Sequence, residues 1–429
     1  MDMALARTMR QLSTGLLAAF FFTCGCREPS RSIHVQVERS PVVSAAVVPQ
    51  LTLLHDGRML LSWQRPLPAG GYSFEMAIKN GAEWSAVRTI SGGPKLSMFT
   101  ADLPAVAELP GGNLLAYWEL KDARDGDPYA TTIQTAISAD EGRTWSKATQ
   151  PYGEALAGQH SFLSWFPWKD GIGLLWLDAN ERSKSRYASV SRSSPGDTNL
   201  GSIGLRYAAL NANGEVTHEA FVDPITCECC PTSAAVTARG PVVAYRGRQE
   251  PAGTRPSEVR AERPTVRDIY LTRLEANGWT KPHLVHNDNW VINACPDNGP
   301  SVDAIANHLA VAWWTRSNDD PKVQVTFSQD SGDTFGQAIR VDSGKAEGQV
   351  TLALLQGGKA AIVGFLEEGQ TWARYLTATG SMSPAVSLGP SPRHSRLPKW
   401  IADGNRSVVA VWTTKQNELP RINVSRIRW

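Results

Sequence analysis

One arrangement of apolar and polar positions recurs along the chain. A short apolar strand runs into a turn containing Gly or Asn, and a second apolar strand follows and ends in an aromatic residue. The copies occupy residues 51–63 (LTLLHDGRMLLSW), 105–118 (AVAELPGGNLLAYW), 162–176 (FLSWFPWKDGIGLLW), 233–245 (SAAVTARGPVVAY), 302–314 (VDAIANHLAVAWW), 351–365 (TLALLQGGKAAIVGF) and 399–412 (KWIADGNRSVVAVW). Gly and Asn tolerate the positive φ that a tight hairpin demands. An alternating third strand follows at residues 131–138, 268–274, 323–328 and 372–377, with a weaker fourth strand behind it. Four antiparallel strands per unit, repeated around a ring, predict an all-β chain, a β-propeller of four-stranded blades. Seven blades is the favoured count and six the alternative. The last unit shows three strands, and the segment near His34 to Val37 supplies its fourth, closing the ring and covering open edges.

The first residues carry a different message. Arg7 and Arg10 precede a short apolar run, residues 16–22, and then Thr23-Cys24-Gly25-Cys26. A basic segment followed by an apolar one is the layout of an export signal. With Gly25 before it, Cys26 resembles the lipidated cysteine of bacterial lipoproteins, with Cys24 as the other acceptor. The resemblance implies a signal peptide over residues 1–25, after which a tether and closing strand are expected over 26–44 and the propeller over 45–429. It also implies a lipid-anchored protein of the bacterial cell envelope, periplasmic or outer-membrane, with the membrane as one partner.

Composition narrows the partners. The 43 basic and 41 acidic residues give a net charge of +2, so no nucleic-acid-binding surface is expected. The 15 tryptophans demand buried sites. With Cys26 as the mature N-terminus, Cys227, Cys229, Cys230 and Cys295 remain, an even number that outside the cytoplasm favours disulfides.

Two turns carry a sharper motif. Ser138, Asp140, Gly142, Thr144 and Trp145 fit S-x-D-x-G-x-T-W, and Ser328, Asp330, Gly332, Thr334 and Phe335 fit it with Phe in the last place. This resembles the Asp box, or BNR repeat, of the sialidase-like propellers. The Asp is expected to lock a turn through backbone N–H groups, Gly to supply an unusual φ, and the aromatic ring to bury itself against the blade. The resemblance implies that these boxes are structural and lie on the face opposite the functional site.

On that other face, the lead-ins to the innermost strands carry the candidate chemistry. Residues 226–232 (TCECCPT) precede the inner strand of blade four and residues 294–300 (ACPDNGP) that of blade five. Neighbouring lead-ins approach each other near the axis, so Cys295 is expected to meet Cys227, Cys229 or Cys230. The readings open at this point are disulfides, a thiolate site for Cu or Zn, and a redox-active thiol pair. His160 and His394 also precede inner strands, as do Asp297 and Asn298. Arg65, Arg246 and Arg316 end second strands, and Asp268 begins a third. Arginines aimed at one cavity suit a carboxylate. The long polar segments 179–202 and 247–267 sit on the same face, where propellers carry binding function.

The sialidase family also carries an Arg-Ile-Pro motif at its first inner strand. Here that place reads Val47-Val48-Pro49, without Arg. The expected function is therefore binding of a glycan, an anionic ligand or a protein partner at a Cys/Arg-lined face, without sialidase-type activity. The alternatives are a divergent exo-α-sialidase or other glycoside hydrolase, and a metal- or redox-handling lipoprotein.

Overall fold

The structure, a computed structural model, describes residues 32–99, 102–122, 130–153, 158–178, 203–249, 264–392, 395–404 and 406–429. Residues 1–31 with Cys24 and Cys26, where a signal segment is expected, His394 and most of both long polar segments lie outside the described residues. Among the described residues no helix is long and apolar enough to cross a membrane.

Among the described residues, seven antiparallel sheets form seven blades, and Thr265–Val266 pairs with Val291–Ile292 as a separate two-stranded ribbon. Blade 3 shows the full pattern, with His160–Trp168, Gly171–Asp178, Gly204–Asn211 and Val216–Asp223 paired in sequence order. Blade 6 repeats it with Ala346–Leu355, Ala360–Glu367, Gln370–Thr377 and Val386–Pro390. Outer strands are short or split elsewhere. In blade 2, Thr131–Ser138 is followed by a single bridge from Thr135 to Thr149.

Blade 7 closes the ring as the sequence suggests. His34–Glu38 pairs antiparallel with Leu419–Arg428, which pairs with Ser407–Gln416 and through it with Ile401–Ala402. Glu38 then binds both Lys79 of blade 1 and Arg426 of blade 7.

The apolar alternation produces the core directly. Both faces of the middle strands are covered by neighbouring blades, so Leu114–Lys121 and Gly171–Asp178 read as nearly continuous buried runs. Seven hydrophobic clusters result, each straddling one blade junction. The cluster of Leu51, Leu61, Trp63, Val409, Val411 and Val424 joins blade 7 to blade 1, which settles the count at seven. Trp63, Trp176, Trp313, Trp400 and Trp412 are fully buried in these junctions and account for part of the tryptophan content.

Both Asp boxes are turn locks. Asp140 accepts hydrogen bonds from the Thr144 N–H (2.9 Å), the Thr144 hydroxyl (2.7 Å) and the Ser138 hydroxyl (2.8 Å), which hold its carboxyl down at about 2. Asp330 has the same partners in Thr334 and Ser328. Burial pushes its carboxyl up, yet those bonds outweigh it and hold the group at about 2. The box glycines sit at φ 86° and 92°, conformations that favour glycine. Trp145 and Phe335 pack against the clusters of blades 1–2 and 4–5. Arg58 reaches Glu141 at 2.9 Å and Arg239 binds Asp333, so each box is tied to a hairpin turn of the preceding blade. These turns lie at the opposite ends of the strands from the cysteine-bearing lead-ins.

Candidate functional site

The lead-ins of blades 4 and 5 meet. Cys229 and Cys295 are disulfide-bonded, with Cα atoms 6.2 Å apart, and Cys227 and Cys230 form a second bond with Cα atoms 5.5 Å apart. Both separations lie in the ordinary range. Gly299 explains how closely the lead-ins pack, because a Cβ there would lie 2.0 Å from the Pro231 carbonyl oxygen. The Cys227 N–H donates to the Arg246 carbonyl (2.9 Å), and the Gly247 N–H donates to the Asp268 carbonyl (2.9 Å). The cysteines, Arg246 and Asp268 thus share one neighbourhood.

The charged groups there are turned inward. Arg246, 1% exposed, donates to the carbonyls of Asn298 (2.8 Å), Arg267 (2.5 Å) and Trp314 (2.7 Å) and lies 5.1 Å from the centre of the Trp290 ring. Burial draws its guanidinium down to about 10 in spite of Asp288 and Asp268. Asp268 accepts from the N–H groups of Asn289 (2.9 Å) and Trp290 (3.0 Å), while burial raises its pKa. Glu228, between the cysteines, binds Arg267 at 3.0 Å and Arg248 at 3.4 Å. These arginines overcome its burial and lower its pKa.

Of the other sequence candidates, Asn298 joins this neighbourhood through its carbonyl, whereas Arg65, Arg316 and His160 have partners of their own. Arg65 is engaged by Glu75 at 2.6–2.8 Å, and Arg316 is exposed beside Asp319 at 3.7 Å. His160 is buried inside blade 3, stacked on Tyr152 and 3.6 Å from Asp178. Asn298 is a stitch between blades 5 and 6. Its Oδ1 accepts the Gln349 N–H (2.6 Å), and its amide donates to the carbonyls of Pro296 (3.1 Å) and Glu347 (3.2 Å).

Asp297 differs from these. Its backbone is held at φ 50° while its carbonyl accepts from the Gln349 side chain (2.7 Å). Its Oδ1 is buried without a hydrogen-bond partner among the described residues. Burial raises the carboxyl to about 6, against the pull of Arg396. A carboxyl held there exchanges protons near neutral pH.

Arg396 belongs to the lead-in of blade 7 and donates to the Thr232 carbonyl of blade 4 at 2.8 Å, so it links the lead-ins of two blades across the ring. Its charge also acts on Asp102 and Tyr117 of blade 2. Asp102 precedes the inner strand Ala105–Glu108 and accepts the Phe162 N–H at 2.7 Å. Phe162 lies in a β-bulge at φ 59°, which re-aims its N–H toward blade 2. Glu119, at the end of the second strand of blade 2, is only 7% exposed. Burial, the Asp102 charge and the hydrogen bond between the two carboxyls raise its pKa well above the usual range. Its Oε1 has no partner among the described residues. Asp102, Tyr117 and Glu119 line a cavity of about 10 Å³, the size of one water.

The axis therefore carries two carboxyl centres, Asp297 and the Asp102–Glu119 pair, both under the charge of Arg396. The sequence reading named Asp297 and missed the other three. Asp102 and Arg396 stand just before inner strands, as Asp297 does, so a scan of all seven lead-ins would have reached them. Glu119 has no such signal, since only its burial beside Asp102 distinguishes it.

No family model matches the chain, and no curated protein matches it either. Solved structures do. The polysaccharide lyase Uly1 superimposes with a TM-score of 0.50 at 11% identity, over 91% of each chain. The α-L-arabinofuranosidase Arb93A from Fusarium graminearum gives 0.48 at 12% identity, over 93% of this chain and 98% of that one. The phage phi92 endosialidase gives 0.44 at 9% identity, over 92% and 69%. At these identities the likeness is one of fold, and the fold is that of a seven-bladed, all-β propeller.

Proposed function

We propose that this propeller takes a hydroxyl-rich glycan on its axial face, held at the cell envelope by a lipid on Cys26, and that it does not work as a sialidase. The observation that carries the reading is the distribution of charge at that face. Among the described residues, Arg246, Arg65 and Arg267 are each engaged by partners within the fold, so these three do not form a free trio to grip a carboxylate. Among the described residues, the buried polar atoms without partners include a carboxyl oxygen at the blade 5 lead-in, Oδ1 of Asp297. Carboxyl groups accept from sugar hydroxyls and, when protonated, donate to them. The structural neighbours include proteins named as a polysaccharide lyase and an α-L-arabinofuranosidase, in keeping with a sugar ligand.

Calorimetric titration with arabinobiose, an ulvan oligosaccharide and sialyllactose tests this. The expectation is saturable binding of the neutral arabinobiose, weakened at least about tenfold in Asp297→Asn, with no comparable binding of the acidic ulvan oligosaccharide or sialyllactose. Binding of an acidic sugar alone, or of none of the three, would overturn it. Glycoside hydrolysis is the second reading, favoured by the two separate carboxyl centres with Asp297 at about 6. It requires shortened oligosaccharides after prolonged incubation, and an unchanged chromatogram rules it out for the sugars used.

A further inference from the structure

The four cysteines do more than pin two lead-ins together. The sulfurs of Cys227, Cys229 and Cys230 all lie within 4.8 Å of one another, and Cys229 Sγ is 3.8 Å from Cys227 Sγ although the two are not bonded to each other. Cys295, bonded to Cys229, brings a fourth sulfur to the same place. The two disulfides set all four sulfurs side by side. The Cys227–Cys230 bond joins residues three apart, so it constrains the chain far less than Cys229–Cys295, whose partners are 66 apart.

A tetrahedral thiolate site has a different requirement. With metal–sulfur bonds of about 2.3 Å, neighbouring sulfurs stand about 3.8 Å apart. The Cys227–Cys229 separation already has that value. Cys227 and Cys230 are buried at 1% exposure, whereas Cys295 faces solvent, so the cluster has a shielded side and an accessible one. Glu228 between them is outnumbered by Arg267 and Arg248, leaving a local positive excess that favours thiolates.

We propose that, once both disulfides are reduced, Cys227, Cys229, Cys230 and Cys295 form a tetrathiolate site for a soft d10 cation, Zn(II) or Cu(I). Each disulfide takes two electrons from a dithiol reductant, which is itself oxidised to a disulfide, and yields two thiols. Binding of the cation then releases a proton from each coordinating thiol. The oxidised chain is the closed, metal-free form. This site is separate from the axial carboxyls and does not rest on the glycan reading.

Native mass spectrometry of the full chain, oxidised and phosphine-reduced, with Zn(II) or Cu(I) supplied separately, tests it. The expected result is one cation per reduced chain, none on the oxidised chain, and unchanged far-UV circular dichroism. Co(II) added to the reduced chain should give sulfur-to-metal charge-transfer bands that disappear in Cys229→Ser and weaken in Cys295→Ser. Reduced, folded protein without bound metal, a stoichiometry indifferent to both substitutions, or unfolding on reduction with metal present would each overturn the proposal.

Discussion

Replacing Asp297 by Asn should stabilise the protein at neutral pH. The carboxyl goes from 3.8 to about 6 on folding because burial disfavours its charge more than Arg396 favours it. A raised acid binds its proton more tightly in the folded state than in the unfolded one. Stability is therefore lost as pH climbs from about 4 to about 6, and the native chain bears the full cost above that window. A shift of about two units corresponds to about 3 kcal/mol. Asn has the same shape without the charge and is tolerant of the φ of 50° that this position adopts. The bond from Gln349 to the backbone carbonyl is retained. Urea unfolding of both proteins at about pH 7.5 and about pH 3.5 reads the effect, with a gain of about 3 kcal/mol at the higher pH and none at the lower. Equal stability of the two proteins at the higher pH would refute the claim that Asp297 is a desolvated carboxyl.

Two further substitutions probe the scaffold. Asp330→Ala removes the acceptor for Thr334 and Ser328 and should cost about 1–3 kcal/mol in thermal unfolding near neutral pH. Because the Asp330 carboxyl is held at about 2, the wild-type advantage should fade as pH falls through that value, and persistence of the full difference there would contradict the assigned role. Arg246→Met leaves the carbonyls of Asn298, Arg267 and Trp314 without their donor and should cost about 3 kcal/mol or more by urea unfolding. A loss below about 1 kcal/mol would show that the guanidinium is not a structural tie.

The propeller was legible because its signal is repetitive and local. Alternation, Gly- or Asn-bearing turns and a terminal aromatic recur in every unit, and two Asp boxes mark the third-strand turns. The meeting of Cys295 with the 227–230 segment also followed, since equal positions in adjacent repeats are neighbours in a ring. The roles of the arginines did not follow. Arg246 stands at a strand end on the expected face, yet its partners are carbonyls of residues 267, 298 and 314, and nothing near it in sequence announces them. Glu119 was hidden for the same reason, as its raised pKa comes from burial and from Asp102, seventeen positions earlier in the chain. Long-range pairing across blades decides which charged groups remain available, and periodicity carries no record of it.

Hydroxyl-radical footprinting of the oxidised chain, with and without the arabinobiose, ulvan and sialyllactose probes, addresses the location of binding most directly. Protection should fall on residues 294–300 and 395–399, where Asp297 and Arg396 lie. Protection confined to the Asp-box turns at 138–145 and 328–335, or absent from both faces, would contradict a glycan site at the axis.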